Sequence, residues 1–113
     1  MGLLDRLRGR RAGTTRTGRR EDEEHLREWF AAHEGVEGFV EPRTAVTETT
    51  MLLVDADGAW TRRRVTGPDA ARRLARSLKM PVYDTQLMGY PQRMRDHDAR
   101  EKILRERARR DGP

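Results

Sequence analysis

Residues 44–90, TAVTETTMLLVDADGAWTRRRVTGPDAARRLARSLKMPVYDTQLMGY, hold a hairpin, a capped helix and a return strand in immediate succession. Residues 44–54 are rich in Thr and Val and end in Leu52-Leu53-Val54, an apolar run that suits a strand covered on both faces. Asp57-Gly58 is a hairpin turn signal, and residues 59–65 supply the returning strand. With two or four residues in the loop, alternation puts Trp60, Arg62 and Arg64 on the face of Met51 and Leu53. Arg63 and Val65 then share the face of Leu52 and Val54. Three consecutive arginines suit an edge strand, where charge blocks pairing with other chains. Gly67-Pro68-Asp69 opens a helix, with Pro in the first turn and an acidic residue beside the helix dipole. Its buried stripe is Ala71, Leu74, Ala75 and Leu78; Arg72, Arg73 and Arg76 face water, and Pro81 stops it. Residues 82–88 are expected to form a strand, pairing antiparallel with the Leu52-Leu53-Val54 strand and leaving that strand central.

Upstream, residues 21–34 predict a helix with Leu26, Trp29, Phe30 and His33 on one stripe, four acidic residues in its first turn and Gly35 beyond its end. Residues 36–41 suggest a short edge strand, broken by Pro42. Residues 91–110 predict a third helix with few apolar positions, supported by the pairs Asp98–Lys102 and Glu101–Arg105. Its first half is expected to pack and its end to fray. The fold expected is therefore α+β: a small three- to four-stranded mixed sheet, hairpin plus crossover strand, covered by helices. Residues 1–20 form a disordered basic tail, 21–98 the single domain, and 99–113 a charged helical extension.

The net charge of +5 is unevenly placed. Residues 1–20 carry +6, residues 21–90 carry −4 and residues 91–113 carry +3. Of the 24 basic residues, 22 are Arg, the side chain suited to bidentate phosphate contacts. Mean hydropathy is −0.99, so the core is expected to be small. No cysteine is present, which excludes disulfides and thiolate metal sites, and no stretch has the roughly 20 apolar residues of a membrane span. The expectation is a cytoplasmic protein. Leu3, Leu4 and Leu7, followed by Arg8, Arg10 and Arg11, make a short basic amphipathic turn suited to an anionic membrane surface or a partner groove.

The block EPRTAVTETTMLLVDADGAWTRRRV, continued by GPDAARRLARSLKMPVYDTQLMGYPQRMRD, resembles a small uncharacterised actinobacterial protein family, often automatically labelled oxidoreductase. The resemblance covers residues 21–98 and rests on the TETT, WTRRR, PVYD and GYPQRMRD segments. It implies an enzyme or cofactor-binding protein and carries no site residues with it.

The residues themselves supply no catalytic motif. There is no G-x-G-x-x-G, and Gly13 and Gly18 have P-loop spacing but are followed by Arg19 and Arg20 in place of Lys and Ser/Thr. The element order also resembles the core of restriction-endonuclease-like nucleases. Asp55 ends the central strand, yet the next strand lacks the acidic-x-Lys triplet that metal-assisted cleavage needs. Asp55, Asp57 and Asp84 read as turn residues, and His25 and His33 lie about 80° apart around their helix, a poor metal spacing. Catalytic residues, metal ligands and cofactors are therefore assigned none. The candidate partner-binding residues are Trp60, Arg62 and Arg64 on the returning strand, with Tyr90, Gln92, Arg93 and Arg95 at the turn into the last helix. The function expected is a non-enzymatic module engaging an anionic partner, RNA or DNA, through Arg-rich surfaces. The alternatives are the oxidoreductase or cofactor binder that the resemblance implies and a membrane-surface adaptor.

Overall fold

The computed structural model describes residues 16–112. In order these form α1 (Arg16–Ala32), β1 (Glu37–Glu41), β2 (Thr50–Val54), β3 (Trp60–Arg64), α2 (Pro68–Leu78), β4 (Val82–Asp84), α3 (Thr85–Met88) and α4 (Gln92–Asp111). The four strands make one mixed sheet in the order β3-β2-β1-β4, the α+β architecture expected. The hairpin pairs β2 with β3 antiparallel and leaves the arginine-bearing strand at the edge.

Three expectations about the sheet need correction. β1 lies inside it, antiparallel to β2 and parallel to β4. Both edges of β2 are occupied by β3 and β1, so β4 cannot join it and pairs with the free side of β1 instead. Pro42 falls just beyond Glu41 and interrupts no ladder bond. The last strand is also shorter than expected: Asp84 turns the chain by accepting a 2.8 Å hydrogen bond from the Gln86 amide, and residues 85–88 become helical. Asp84, still in register with Val40, thus ends the strand by capping the helix that follows.

The third correction concerns faces. The Asp55 amide donates to the Ala59 carbonyl at 2.9 Å and the Gly58 amide to the Asp55 carbonyl at 3.1 Å. The loop is therefore Ala56-Asp57-Gly58, three residues, with Gly58 at φ +92°. An odd loop shifts the alternation by one. Trp60 faces Val54, Arg62 faces Leu52 and Arg64 faces Thr50, so all three stand on the Leu52 and Val54 side.

The two faces are covered unequally. On one side Val40, Met51 and Leu53 meet Leu26 of α1, Ala71, Leu74 and Ala75 of α2, and Met80. Trp29, Phe30 and Leu78 pack against this cluster, as their helical spacing predicts. On the other side Phe39, Leu52 and Val54 meet only Met94 of α4 and the ring of Tyr83. Leu26 and residues 51–54 are completely enclosed, each side chain contributing roughly 1.5–3 kcal/mol of burial.

The helices start and stop by local chemistry. α1 begins at Arg16 rather than Glu21, so the last five residues of the expected disordered tail are helical and the acidic cluster lies beyond the first turn. Residues 1–15, including the Leu3, Leu4 and Leu7 turn, lie outside the described residues. α2 ends before Pro81, at Lys79, which takes the left-handed conformation (φ 54°, ψ 42°) while the Met80 amide reaches back to Ala75 at 2.9 Å. Glycine suits that position better than lysine. Lys79→Gly is expected to raise stability by about 0.5–1 kcal/mol, read as a higher denaturation midpoint; a lower midpoint would contradict the cap assignment. α4 packs through its first turns and then runs exposed from Ala99 to Gly112. The expected Asp98–Lys102 and Glu101–Arg105 pairs do not form. Asp98 accepts from Trp60, and Glu101 lies 3.7 Å from His97.

Candidate anion-binding surfaces

The sparsely covered face of the sheet carries the residues singled out on the returning strand. Glu37, Phe39 and Glu41 alternate along β1 and face Val54, Leu52 and Thr50 of β2, which in turn face Trp60, Arg62 and Arg64. This register lays one carboxylate at each end of β1 under a basic residue from elsewhere.

Glu41 is the hub at one end. Its Oε1 accepts from Arg62 Nε at 2.6 Å and from Thr50 Oγ1 at 2.8 Å, and its Oε2 accepts from a second Arg62 nitrogen at 2.9 Å. The Tyr90 hydroxyl also donates to Oε2. Burial is the largest single influence on Glu41 and works against its charge. The hydrogen bonds from Arg62, Tyr90 and Thr50 together outweigh it and hold the carboxyl below the ordinary glutamate range. The same contact with Glu41 pushes the Tyr90 hydroxyl up. Sequence reasoning missed Glu41, although the Glu-x-Phe-x-Glu alternation of β1 was the available signal.

Glu37 plays the matching part at the other end. Arg93 donates to Glu37 at 2.6 Å, to the Asp55 carbonyl at 2.8 Å and to the Val54 carbonyl at 3.4 Å. Arg93 thus turns inward and ties the start of α4 to the hairpin, rather than standing at the helix start to meet an anion. The nearby Glu37 carboxylate is the main influence raising the Tyr83 hydroxyl.

Of the seven sequence-derived candidates, the structure brings Trp60, Arg62 and Tyr90 together. Arg62 lies 5.1 Å from the Trp60 ring centroid, and Trp60 Nε1 donates to Asp98 at 2.8 Å. Arg93 is 30% exposed and engaged as above. Arg64 points to Glu48 at 3.7 Å, on the β1–β2 loop. Gln92 donates to Asp96 and Arg95 to Gln92, both within the exposed first turns of α4. The third arginine of β3, Arg63, lies 3.6 Å from Asp22 on the opposite face. Every arginine of the edge strand therefore has a carboxylate partner.

Basic side chains without such partners lie elsewhere. Along the exposed part of α4, residues 100–111 carry six basic and three acidic side chains. Arg100 donates to the Asp57 carbonyl at 3.1 Å. Among the described residues, Lys102, Arg105, Arg107, Arg109 and Arg110 have no carboxylate within 4.0 Å. Asp55 is spent on its own turn, accepting from the Asp57 and Ala59 amides, and His33 stacks on Trp29 at 3.7 Å. No helix among the described residues is long and apolar enough to cross a membrane. No protein-family model, curated protein or solved structure matches the chain.

Proposed function

We propose that this protein is a small non-enzymatic binding module for an anionic partner, nucleic acid before other polyanions, engaged through arginine-rich surfaces. The observation that carries this reading is the exposed half of α4, whose cations project from the domain and, among the described residues, meet no carboxylate within 4.0 Å. A helix with so little apolar surface has nothing to gain from docking on its own core. Its guanidinium groups are hydrated, unopposed and spaced along roughly 18 Å of helix, at 1.5 Å per residue, which suits successive phosphates. The basic balance of residues 1–20 adds to the same field. By contrast, the arginines of β3 are largely neutralised and support the sheet.

Binding of this kind releases counterions. The logarithm of affinity for a mixed-sequence duplex should fall linearly with the logarithm of salt, with a slope of about −0.9 per phosphate neutralised. Filter binding between 50 and 200 mM salt (roughly the range over which such contacts are lost) measures it. A protein that retains no duplex or single strand at the lower salt is not a nucleic-acid-binding module.

A further inference from the structure

We infer that the domain also carries a built phosphate-binding cleft, distinct from α4, that takes the phosphodiester backbone of a nucleic acid without reading its bases. The cleft lies between α1, the β1–β2 loop and the start of α2. It consists of two hollows of about 590 and 230 Å³ that share Arg19, Val65 and Thr66 as a common wall. Two adjoining hollows of this kind suit a chain of phosphates better than a single headgroup.

Four arginines from four separate segments converge on it: Arg19 of α1, Arg43 of the β1–β2 loop, Arg64 of β3 and Arg73 of α2. Only two carboxylates line the same walls. Glu48 is engaged with Arg64 at 3.7 Å and Glu23 with Arg27 at 3.4 Å. Among the described residues, Arg19, Arg43 and Arg73 have no carboxylate within 4.0 Å. None of the three is therefore held in an ion pair among the described residues.

The start of α2 adds donors. Gly67 provides no side-chain cap, and the Ala71 amide is the first to bond into the helix, to the Gly67 carbonyl at 3.2 Å. The Ala70 amide, on the cleft wall, has no acceptor among the described residues. An uncapped helix start in the same hollow as the Arg19 and Arg73 guanidinium groups, floored by Leu26 and Leu74, is an environment in which an anion gains hydrogen bonds in a partly dry setting.

No aromatic ring lines either hollow. Trp60 and Tyr90 are held by Asp98 and Glu41 against the opposite, Leu52 and Val54, face of the sheet. Base stacking, which single-strand readers depend on, is thus not offered here. The remaining walls offer hydroxyl, guanidinium and amide donors that meet phosphate oxygens whatever the base.

This inference rests on the polyanion reading above, and the test separates the two. Arg43→Glu/Arg73→Glu alters two exposed side chains without partners, so the melting temperature should be unchanged. Lys102→Glu/Arg109→Glu on α4 is the control. A fluorescein-labelled mixed-sequence duplex, poly(dA), poly(dT) and phosphatidylglycerol vesicles are the probes. The cleft variant should bind the duplex at least about tenfold more weakly at 100 mM salt, with a salt slope shallower by about 2. Wild type should bind the two homopolymers within about threefold of one another. Duplex binding unchanged in the cleft variant and lost in the α4 variant overturns the cleft while leaving the module reading intact. A strong preference for one homopolymer overturns base-independent recognition. Wild-type binding to the vesicles alone, or to none of the probes, overturns both.

Discussion

Gly58→Ala is expected to destabilise the domain by about 3 kcal/mol or more, enough to unfold a marginal protein of this size. Two independent demands meet at this residue. Its φ of +92° closes the three-residue hairpin loop, a conformation strained for any residue with a Cβ. Its hydrogen-facing side is also pressed against α4. A methyl group there would fall inside the Arg93 carbonyl and 2.9 Å from the His97 Cβ. The obstructing atoms are helix backbone, so no rotamer change relieves them. Relief would require α4 to lift off the hairpin, breaking the Arg93 bonds to Glu37, Val54 and Asp55. Urea denaturation measures the loss, and an unchanged midpoint would mean that α4 does not sit on the hairpin as described. Gly58→Asn should fail equally, although asparagine tolerates positive φ better than alanine, because contact with the helix decides the outcome.

Glu41→Gln is expected to cost about 2 kcal/mol near neutral pH. The substitution keeps the shape and removes the charge that Arg62, Tyr90 and Thr50 converge on. Arg62 is 38% exposed, so water screens part of its loss and the effect stays below that of a fully buried pair. The pH dependence distinguishes this from a packing defect. Glu41 titrates lower in the folded chain than when unfolded, so the unfolded state binds the proton more readily. Its contribution is complete above the unfolded value of about 4.3 and is lost as pH falls through the lower folded value. Wild type and variant should therefore differ most near pH 7 and converge in acid. A constant difference from pH 7 to pH 3 would remove Glu41 from its place as the charged hub.

The two effects also mark what could be read in advance. The β2 strand, the Asp57-Gly58 turn, the α2 stripe and the edge position of the arginine strand were all legible in local spacing. The candidate surface was only partly so. Trp60, Arg62 and Tyr90 were each recognisable as candidates, on two separate segments, but Glu41, which holds two of them, was hidden because its strand looked like an edge and its partners lie 9 to 49 residues away. The cleft was more distant still, since Arg19, Arg43, Arg64 and Arg73 share no motif and meet only after the sheet has formed.

Amino-acid order alone thus settled the α+β class, the central position of β2 and the concentration of uncompensated charge toward the chain ends. These depend on residue type, on periods of two and 3.6, and on turn chemistry within a few neighbours. The tertiary structure alone decided that β1 lies inside the sheet, that Trp60, Arg62 and Arg64 stand on the Leu52 side, and that Arg93 serves as a latch. The first two turned on alternatives with little local signature: which open strand edge β4 could reach, and a three-residue loop instead of two or four. A one-residue change in a loop reverses every side chain of a strand, and only competition among the packed elements selects which reversal persists.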